Sequence, residues 1–303
     1  MSRDKSIVII VLPFFGSMIA KRWQEEGKNA QYLPMDSFYN KIKGIIRLYK
    51  ADVVYRIGGI DRGKLSFLLS LKPKGKIVLH WCGSDVLDAI RDVKNGSYNK
   101  KFLLKAIHLA GAPWLAEELK QIGIYAEVIP LVSLQLFEDP PPLPTKFRLL
   151  VYLTTDKPIF YGRSVIYKLA EEMPDVEFLI VGSNAEDHPK PPQNLSFMGY
   201  VKDMKEIYSQ VTALIRFTEH DGFSFMVIEA LSAGRYVLWT YPLEGVIQVK
   251  SYEQLKNEVI RLKKDFLDGN LGLNSEGLRA VRNKYNPKEF YEKLYNKFNF
   301  ISS

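Results

Sequence analysis

The feature that most constrains this chain is a proline-rich stretch, SLQLFEDPPPLPTK (133–146), with the same alternation of structure signals on either side of it. Pro140, Pro141, Pro142 and Pro144 cannot donate ladder hydrogen bonds and favour extended backbone, so the stretch marks a connector between two folded parts. Before it, short β-branched runs such as SIVIIVL (6–12), DVVYRI (52–57), KIVLH (76–80) and AEVIPL (126–131) read as strands. Amphipathic segments lie between them: 37–50, 64–71, 100–107, 113–123, and one opened by Gly16 and Ser17 and running to about Glu26. After it, FRLLVYL (147–153), VEFLIVG (176–182), NLSFMG (194–199), VTALIRF (211–217) and RYVLWT (235–240) read as strands. The helices there fall at 163–172, 203–209 and 224–233, with three more at 252–267, 274–284 and 287–299. Such alternation predicts parallel sheets covered on both faces. The expected fold class is α/β, two Rossmann-like open parallel-sheet domains facing a cleft. Its parts are an N-terminal domain over 1–137, a linker over 138–146, a second domain over 147–285, and a C-terminal helix over 286–303.

Length agrees with two cores, because 303 residues exceed what one core of ordinary size holds. No run is long and apolar enough for a membrane-spanning helix, and the first apolar run is stopped by Pro13. Cys82 is the only cysteine, so no internal disulfide forms, and no Cys/His set has zinc spacing. The chain is expected in the cytoplasm. Residues 1–145 hold 21 Lys and Arg against 14 Asp and Glu, a net +7, out of +8 for the whole chain. That excess attracts acidic lipid, phosphate or nucleic acid, or else is a solvated lysine surface.

The stretch HDGFSFMVIEALSAG (220–234) carries the most chemistry. It follows the strand ending near Phe217, so Thr218–Phe223 is a loop at a strand's carboxyl end. Ser224 reads as the N-cap of a helix closed by Gly234. The amides of the first turn, including that of Phe225, then form an anion site, and Gly222 admits a bulky phosphate close to the backbone. Glu229, more than a turn into the helix, suits a vicinal diol such as a ribose. Asp221, before the helix, suits hydroxyls of a sugar beyond the phosphates. The plain alternative is an acid favoured by the helix dipole and an exposed helical glutamate.

D-G-F-S-F-M-V-I-E-A-L-S-A-G resembles the acid-x7-Glu signature of the group 1, retaining-type nucleotide-sugar glycosyltransferases of the GT-B fold. The family usually has Glu at the first position, where this chain has Asp221. VEFLIVGSN and NLSFMGYV resemble the family's strand–glycine segments. The resemblance implies that Asp221 meets the donor sugar, Glu229 the ribose, Gly199, Tyr200 and Val201 the base, and Gly182 the phosphate side, with Phe223 and His220 beside them. It also implies a C-terminal helix crossing back to the first domain. The family's Arg…Lys pair that grips the diphosphate is missing from YLTTDKPIFYGRS (152–164), where Tyr161 stands at the lysine's place. Lys157, Arg163 and Arg216 are the candidates to replace it. No metal clamp of the D-x-D type is present, so neither metal nor cofactor is expected and the nucleotide-sugar is the substrate.

In the first half, LHWCGSDVLDA (79–89) resembles the family's His-Gly-x-Asp turn. On that likeness His80 is a candidate catalytic residue, with Trp81, Ser84, Asp85, Gly16 and Ser17 on the acceptor side. His80 reads equally as a structural histidine, and Gly16, Ser17 and the pair Gly58–Gly59 as plain strand–helix turns. The segment 37–50 sets Ile42, Ile45, Ile46 and Tyr49 on one stripe flanked by Lys41, Lys43, Arg47 and Lys50. This suits an acidic membrane surface at the inner membrane face, or an ordinary sheet-covering helix. The expected partners are thus a nucleotide-sugar and a sugar, lipid-linked or protein-glycan acceptor. No RNP-like stripe or helix-turn-helix signal points to nucleic acid. The competing readings are a non-catalytic or degenerate relative binding an acidic ligand, and a nucleotide-sugar 2-epimerase.

Overall fold

The computed structural model describes residues 6–10, 12–34, 38–58, 67, 69, 71–72, 76–97, 100–132 and 136–301. Gly59, most of the helix expected over 64–71 and residues 133–135 of the proline-rich segment lie outside them. The chain divides into two compact units, one made of 1–131 with 288–303 and the other of 132–287.

In the first unit, β1 (Ile7–Ile10), β2 (Ala30–Leu33), β3 (Val53–Ile57), β4 (Lys76–Trp81), β5 (Ile107–Ala110) and β6 (Glu127–Val128) form one parallel sheet in the order β2-β1-β3-β4-β5-β6. β1 and β3 are buried along their whole length, as strands covered on both faces must be. Right-handed crossovers put helices that step toward β6 on one face and helices that step back on the other. On the first face therefore lie α2 (Phe38–Lys50), α3 (Ser84–Lys94), α4 (Lys100–Lys105) and α5 (Pro113–Lys120). The opposite face carries α1 (Pro13–Glu25). There Trp23, fully buried, donates its indole N–H to the Tyr291 carbonyl at 3.1 Å and meets Tyr295 and Phe298 edge to face. The last helix of the chain thus rejoins the first unit.

α1 begins three residues before Gly16, because Pro13 sits in its first turn with its φ already helical and no N–H to satisfy. The Gly16 N–H is consequently spent on the Leu12 carbonyl at 2.9 Å, and Ser17 Oγ donates to Pro13 O at 2.5 Å. The expectation that these two residues open a helix onto an acceptor is corrected: both are internal to it.

In the second unit, β7 (Arg148–Tyr152), β8 (Glu177–Val181), β9 (Leu195–Phe197), β10 (Ala213–Arg216), β11 (Tyr236–Trp239) and β12 (Ile247–Gln248) form a second parallel sheet in the order β12-β11-β10-β7-β8-β9. The chain moves outward from β7 to β9, then returns to β10 on the other side of β7. The point where the order reverses, between β7 and β10, is where open α/β sheets bind ligands at their strands' carboxyl ends. α6 (Arg163–Glu172) and α9 (Tyr252–Leu267) share one face and one apolar core, with Ile166, Leu169, Leu255, Val259 and Leu262 all fully buried. α7 (Met204–Gln210) and α8 (Phe225–Ser232) step the other way onto the opposite face, α8 against α10 (Ser275–Lys284).

The proline-rich connector is packed onto this second unit. Its prolines lack donors but keep their carbonyls, and buried Arg235 donates to Pro141 O at 3.1 Å and Pro142 O at 2.8 Å. Burial lowers the Arg235 guanidinium to about 10, which leaves it charged at neutral pH.

Candidate active site

Three strand ends, those of β7, β10 and β11, converge at the switch point of the second sheet. β10 delivers Arg216, and the loop that follows carries Asp221 back toward it. The Arg216 Nη2 donates to Asp221 Oδ1 at 2.9 Å, and its Nε donates to Oδ2. Oδ2 also accepts from the indole N–H of Trp239 at 3.1 Å, and Oδ1 from the Gly222 N–H at 3.0 Å. Both carboxylate oxygens are engaged, and both side chains are one-tenth exposed. The guanidinium carbon lies 5.8 Å from the centroid of Tyr152 at the end of β7 and 5.9 Å from that of Tyr161 in the following loop. The two rings meet each other edge to face. Burial works against the charge of Arg216, but Asp221 more than offsets it and the guanidinium pKa is raised. Both tyrosines are pushed up by burial, opposed by Arg216, and stay protonated.

Asp221, expected to meet the donor sugar, is turned onto Arg216, which it holds in place. Arg216 stands out among the three cations expected to replace the missing pair, since it ends β10 at the switch point and lies largely buried against Tyr152 and Tyr161. Lys157 is exposed, its ammonium 5.6 Å from the Phe160 ring centroid, and Arg163 begins α6 near Tyr167 and His188.

α8 follows the loop. Its sequence FMVIEALS is almost wholly apolar, and Val227, Ile228, Ala230 and Leu231 are fully buried. Ser224 occupies the N-cap in extended backbone as expected, yet its hydroxyl makes no capping bond. The first turn of the helix, from Phe225 on, presents N–H groups that have no intrahelical acceptor. Glu229 is 7% exposed in this apolar helix, and its Oε2 accepts from the Tyr208 hydroxyl of α7 at 2.9 Å. Burial pushes the Tyr208 phenol far up and the Glu229 carboxylate adds to it, so the phenol remains a donor. Phe223 packs against Tyr285, with ring centroids 5.2 Å apart, and His220 is buried beside Tyr241.

On the other side of β7, the ends of β8 and β9 are tied together. Gly182, at φ +97°, donates to the Gly199 carbonyl at 2.8 Å, and a Cβ on it would lie 2.8 Å from the Leu153 carbonyl. Only glycine fits there. Tyr200 stands 89% exposed beyond Gly199, followed by half-buried Val201. Ser183 and His188, which no sequence motif marks, bond each other at 2.8 Å, and Ser183 Oγ also donates to Leu153 O. Tyr152, Trp239 and Tyr208 were likewise missed; the first two each end a strand, which was the signal available.

The residues proposed from the first half do not form a reactive site. His80 is fully buried, with Nε2 2.7 Å from the Ile129 carbonyl and Nδ1 2.5 Å from the Tyr55 hydroxyl. Its expected catalytic role is corrected to a structural one. Trp81 is fully buried too and donates to His108 Nδ1 at 3.1 Å, so its side chain is not available to an acceptor. Asp85 accepts from the backbone N–H of Cys82 and Gly83, tying down the turn that precedes α3, which Ser84 begins. Burial pushes the Cys82 thiol well up, which removes it as a nucleophile. Among the described residues no cluster of His, Cys, Asp and Glu has the makings of a metal site.

Residues 154–260, which include every element of the switch-point cluster except Tyr152, match the family model for group 1 glycosyl transferases. Among curated proteins none matches by sequence. Solved structures similar over nearly the full length include HepE of Anabaena in complex with UDP and glucose, at 10% identity and a TM-score of 0.72, covering 97% of this chain and 99% of HepE. Sucrose-phosphate synthase of Thermosynechococcus elongatus superposes with a TM-score of 0.73 at 13% identity, covering 99% and 100% of the two chains. A glycosyltransferase of Rickettsia africae gives 0.69 at 14% identity, with 98% and 99% covered. At these identities the likeness is one of fold. Over residues 154–260 the second unit is thus similar to the group 1 glycosyl transferases, and the chain as a whole has the two-sheet GT-B fold of these solved structures.

Proposed function

We propose that the protein transfers a hexosyl group from a nucleoside-diphosphate sugar to a hydroxyl acceptor, with retention of configuration and without a metal ion. The observation that carries this reading is the Arg216–Asp221 pair at the switch point between β7 and β10, with the N-terminus of α8 beside it. Breaking the glycosidic bond leaves negative charge on the departing diphosphate. A fixed guanidinium and a turn of helix amides stabilise that charge where it develops, at no cost of reorganisation. Arg216 does in this chain what the family's Arg…Lys pair does elsewhere, and Asp221 keeps it oriented. Glu229, with Tyr208 bonded to one of its oxygens, holds the ribose diol. The Gly182–Gly199 bridge shapes the seat of the base, with Tyr200 beside it. The HepE structure holds UDP and glucose, which makes a UDP-hexose the first donor to test.

The test is a thermal-shift and calorimetric screen against UDP-, GDP-, ADP- and dTDP-sugars, run with Glu229→Ala and Arg216→Gln beside the wild type. One nucleotide should stabilise the wild type selectively and fail to stabilise either variant. Stabilisation by none of the four would sink the reading, and donor interconversion without an acceptor would replace it with an epimerase. No helix among the described residues is long and apolar enough to cross a membrane. The acceptor is proposed to be a sugar, lipid-linked or protein-borne hydroxyl, used at an acidic membrane surface where it is lipid-linked.

A further inference from the structure

The first unit exposes apolar side chains at one end of one face. Ile46 on α2 is 60% exposed, Phe67 59%, Leu71 55%, and Leu104 on α4 76%. The topology brings them together: α2 runs into β3 and α4 into β5 on the same face of the sheet, and Leu71 and Lys72 lie just before β4, the strand between them. Their ends therefore meet at the amino ends of those strands, the opposite end from His80 and Asp85. Two hydrogen-bonded lysines fix the junction. The buried ammonium of Lys72 donates to Tyr49 O in the last turn of α2 at 3.0 Å and to Ala51 O just beyond it at 2.7 Å, and Lys105 Nζ donates to Lys72 O. Each segment also points its other apolar residues inward: Leu48, Leu69 and Phe102 are at most 2% exposed. The exposed set is thus an outer layer, separate from the core.

Cations frame this patch. Arg47 and Lys50 are exposed on α2, as are Lys76 at the start of β4 and Lys105 at the end of α4. Asp52, an acid at this end, accepts from the N–H and the hydroxyl of Ser6 at 2.9 and 3.1 Å. Apolar side chains ringed by Lys and Arg match an anionic bilayer: the side chains enter the acyl boundary and the cations stay at headgroup depth.

We propose that this end of the first unit docks on an anionic lipid surface through Ile46, Phe67, Leu71 and Leu104, with Arg47, Lys50 and Lys105 at the headgroups. The proposal is independent of the donor site, which lies in the other unit. The experiment is co-sedimentation with sucrose-loaded vesicles of phosphatidylcholine, alone or with one-third phosphatidylglycerol, across a salt series. Two variants accompany the wild type: Leu71→Ser/Leu104→Ser and Arg47→Glu/Lys50→Glu. All four positions are on the surface, and circular dichroism confirms that both variants fold. The wild type should bind the anionic vesicles at least tenfold better than the neutral ones, less so as salt rises. Each variant should lose tenfold or more of that binding while its donor-induced thermal shift is unchanged. Equal binding to neutral vesicles, no binding, or full binding by both variants would overturn the proposal. Concentration-dependent dimerisation abolished by the Leu variant, without vesicle binding, would overturn it in favour of a second copy as the occupant.

Discussion

Arg216 and Asp221 are locked to each other through two hydrogen bonds at the switch point of the second sheet, and each is one-tenth exposed. A pair so placed couples stability to function in a way that can be separated. Removing one charge leaves the other buried without its partner, which costs about 3–5 kcal/mol, whereas replacing both with apolar side chains of similar volume is near neutral. Asp221→Asn should therefore lower the denaturation midpoint of the second unit sharply, while Arg216→Met/Asp221→Leu restores much of it. Donor affinity should fail to recover in the double variant, because a charge-assisted bond to phosphate, worth about 1.5–3 kcal/mol, is gone. Trp239, bonded to Asp221, reports the same change by its fluorescence. Recovery of donor binding in the double variant would mean that Arg216 does not meet the phosphates.

How much of this was legible in the sequence depends on range. The strands and helices rest on local pattern, and α6 and α9 fall on the expected residues 163–172 and 252–267. The N-cap at Ser224 and the span from Asp221 to Glu229 are local too. The partner of Asp221 was not legible, because the importance of Arg216 follows from β10 pairing with β7, more than 60 residues earlier. The same holds for the aromatic wall of Tyr152 and Tyr161. His80 was misassigned for a related reason: in a strand covered on both faces the hydrophobic pattern does not say which way an end residue points.

Glu229 sits in an apolar helix, and Tyr208 is the side chain seen to hold its Oε2. Deleting that hydroxyl removes a bond to a charged group without removing the carboxylate. Tyr208→Phe should weaken nucleoside-diphosphate binding by about 1–2 kcal/mol, roughly five- to thirtyfold, by leaving Glu229 less well oriented. Glu229→Gln should do at least as much. Calorimetry with the free nucleotide and with the nucleobase alone distinguishes the cause. A ribose contact predicts that nucleotide binding falls while that of the base does not. Equal losses for both would place Glu229 away from the ribose.

Gly162 and Gly27 share a positive φ, +70° and +74°, and differ in their surroundings. A Cβ on Gly162 would lie 2.3 Å from the Phe217 carbonyl oxygen, a backbone atom that cannot swing aside, whereas one on Gly27 meets nothing within 4 Å. Gly27→Ala should cost only the left-handed backbone penalty of about 1–2 kcal/mol. Gly162→Ala should cost clearly more and also weaken donor binding, since Phe217 begins the loop that carries Asp221. Denaturant midpoints of the two variants, with donor affinity for the second, make the comparison. Equal destabilisation would show that β10 can yield at this contact.

His80 gives the first unit a pH dependence. Ile129 O can only accept, so the proton lies on Nε2, and Nδ1 accepts from Tyr55, whose phenol burial keeps protonated. A second ring proton on Nδ1 would displace the bond that Tyr55 donates there, and burial lowers the His80 pKa from 6.5 to about 4. Above pH 6.5 the ring is neutral folded or unfolded and contributes no slope. Below it the unfolded chain takes up a proton that the folded chain refuses, so stability falls as the pH drops toward 4 and then levels off. Between pH 7 and pH 5 the loss from this residue should reach about 2 kcal/mol, at 1.36 kcal/mol per pH unit. His80→Gln keeps a donor toward Ile129 and an acceptor toward Tyr55 but does not titrate. Chemical denaturation of the wild type should show the steeper decline over that range, and the variant a shallower one, since burial lowers the pKa of His108 and His188 as well. Parallel curves for the two proteins would assign the acid sensitivity to other groups.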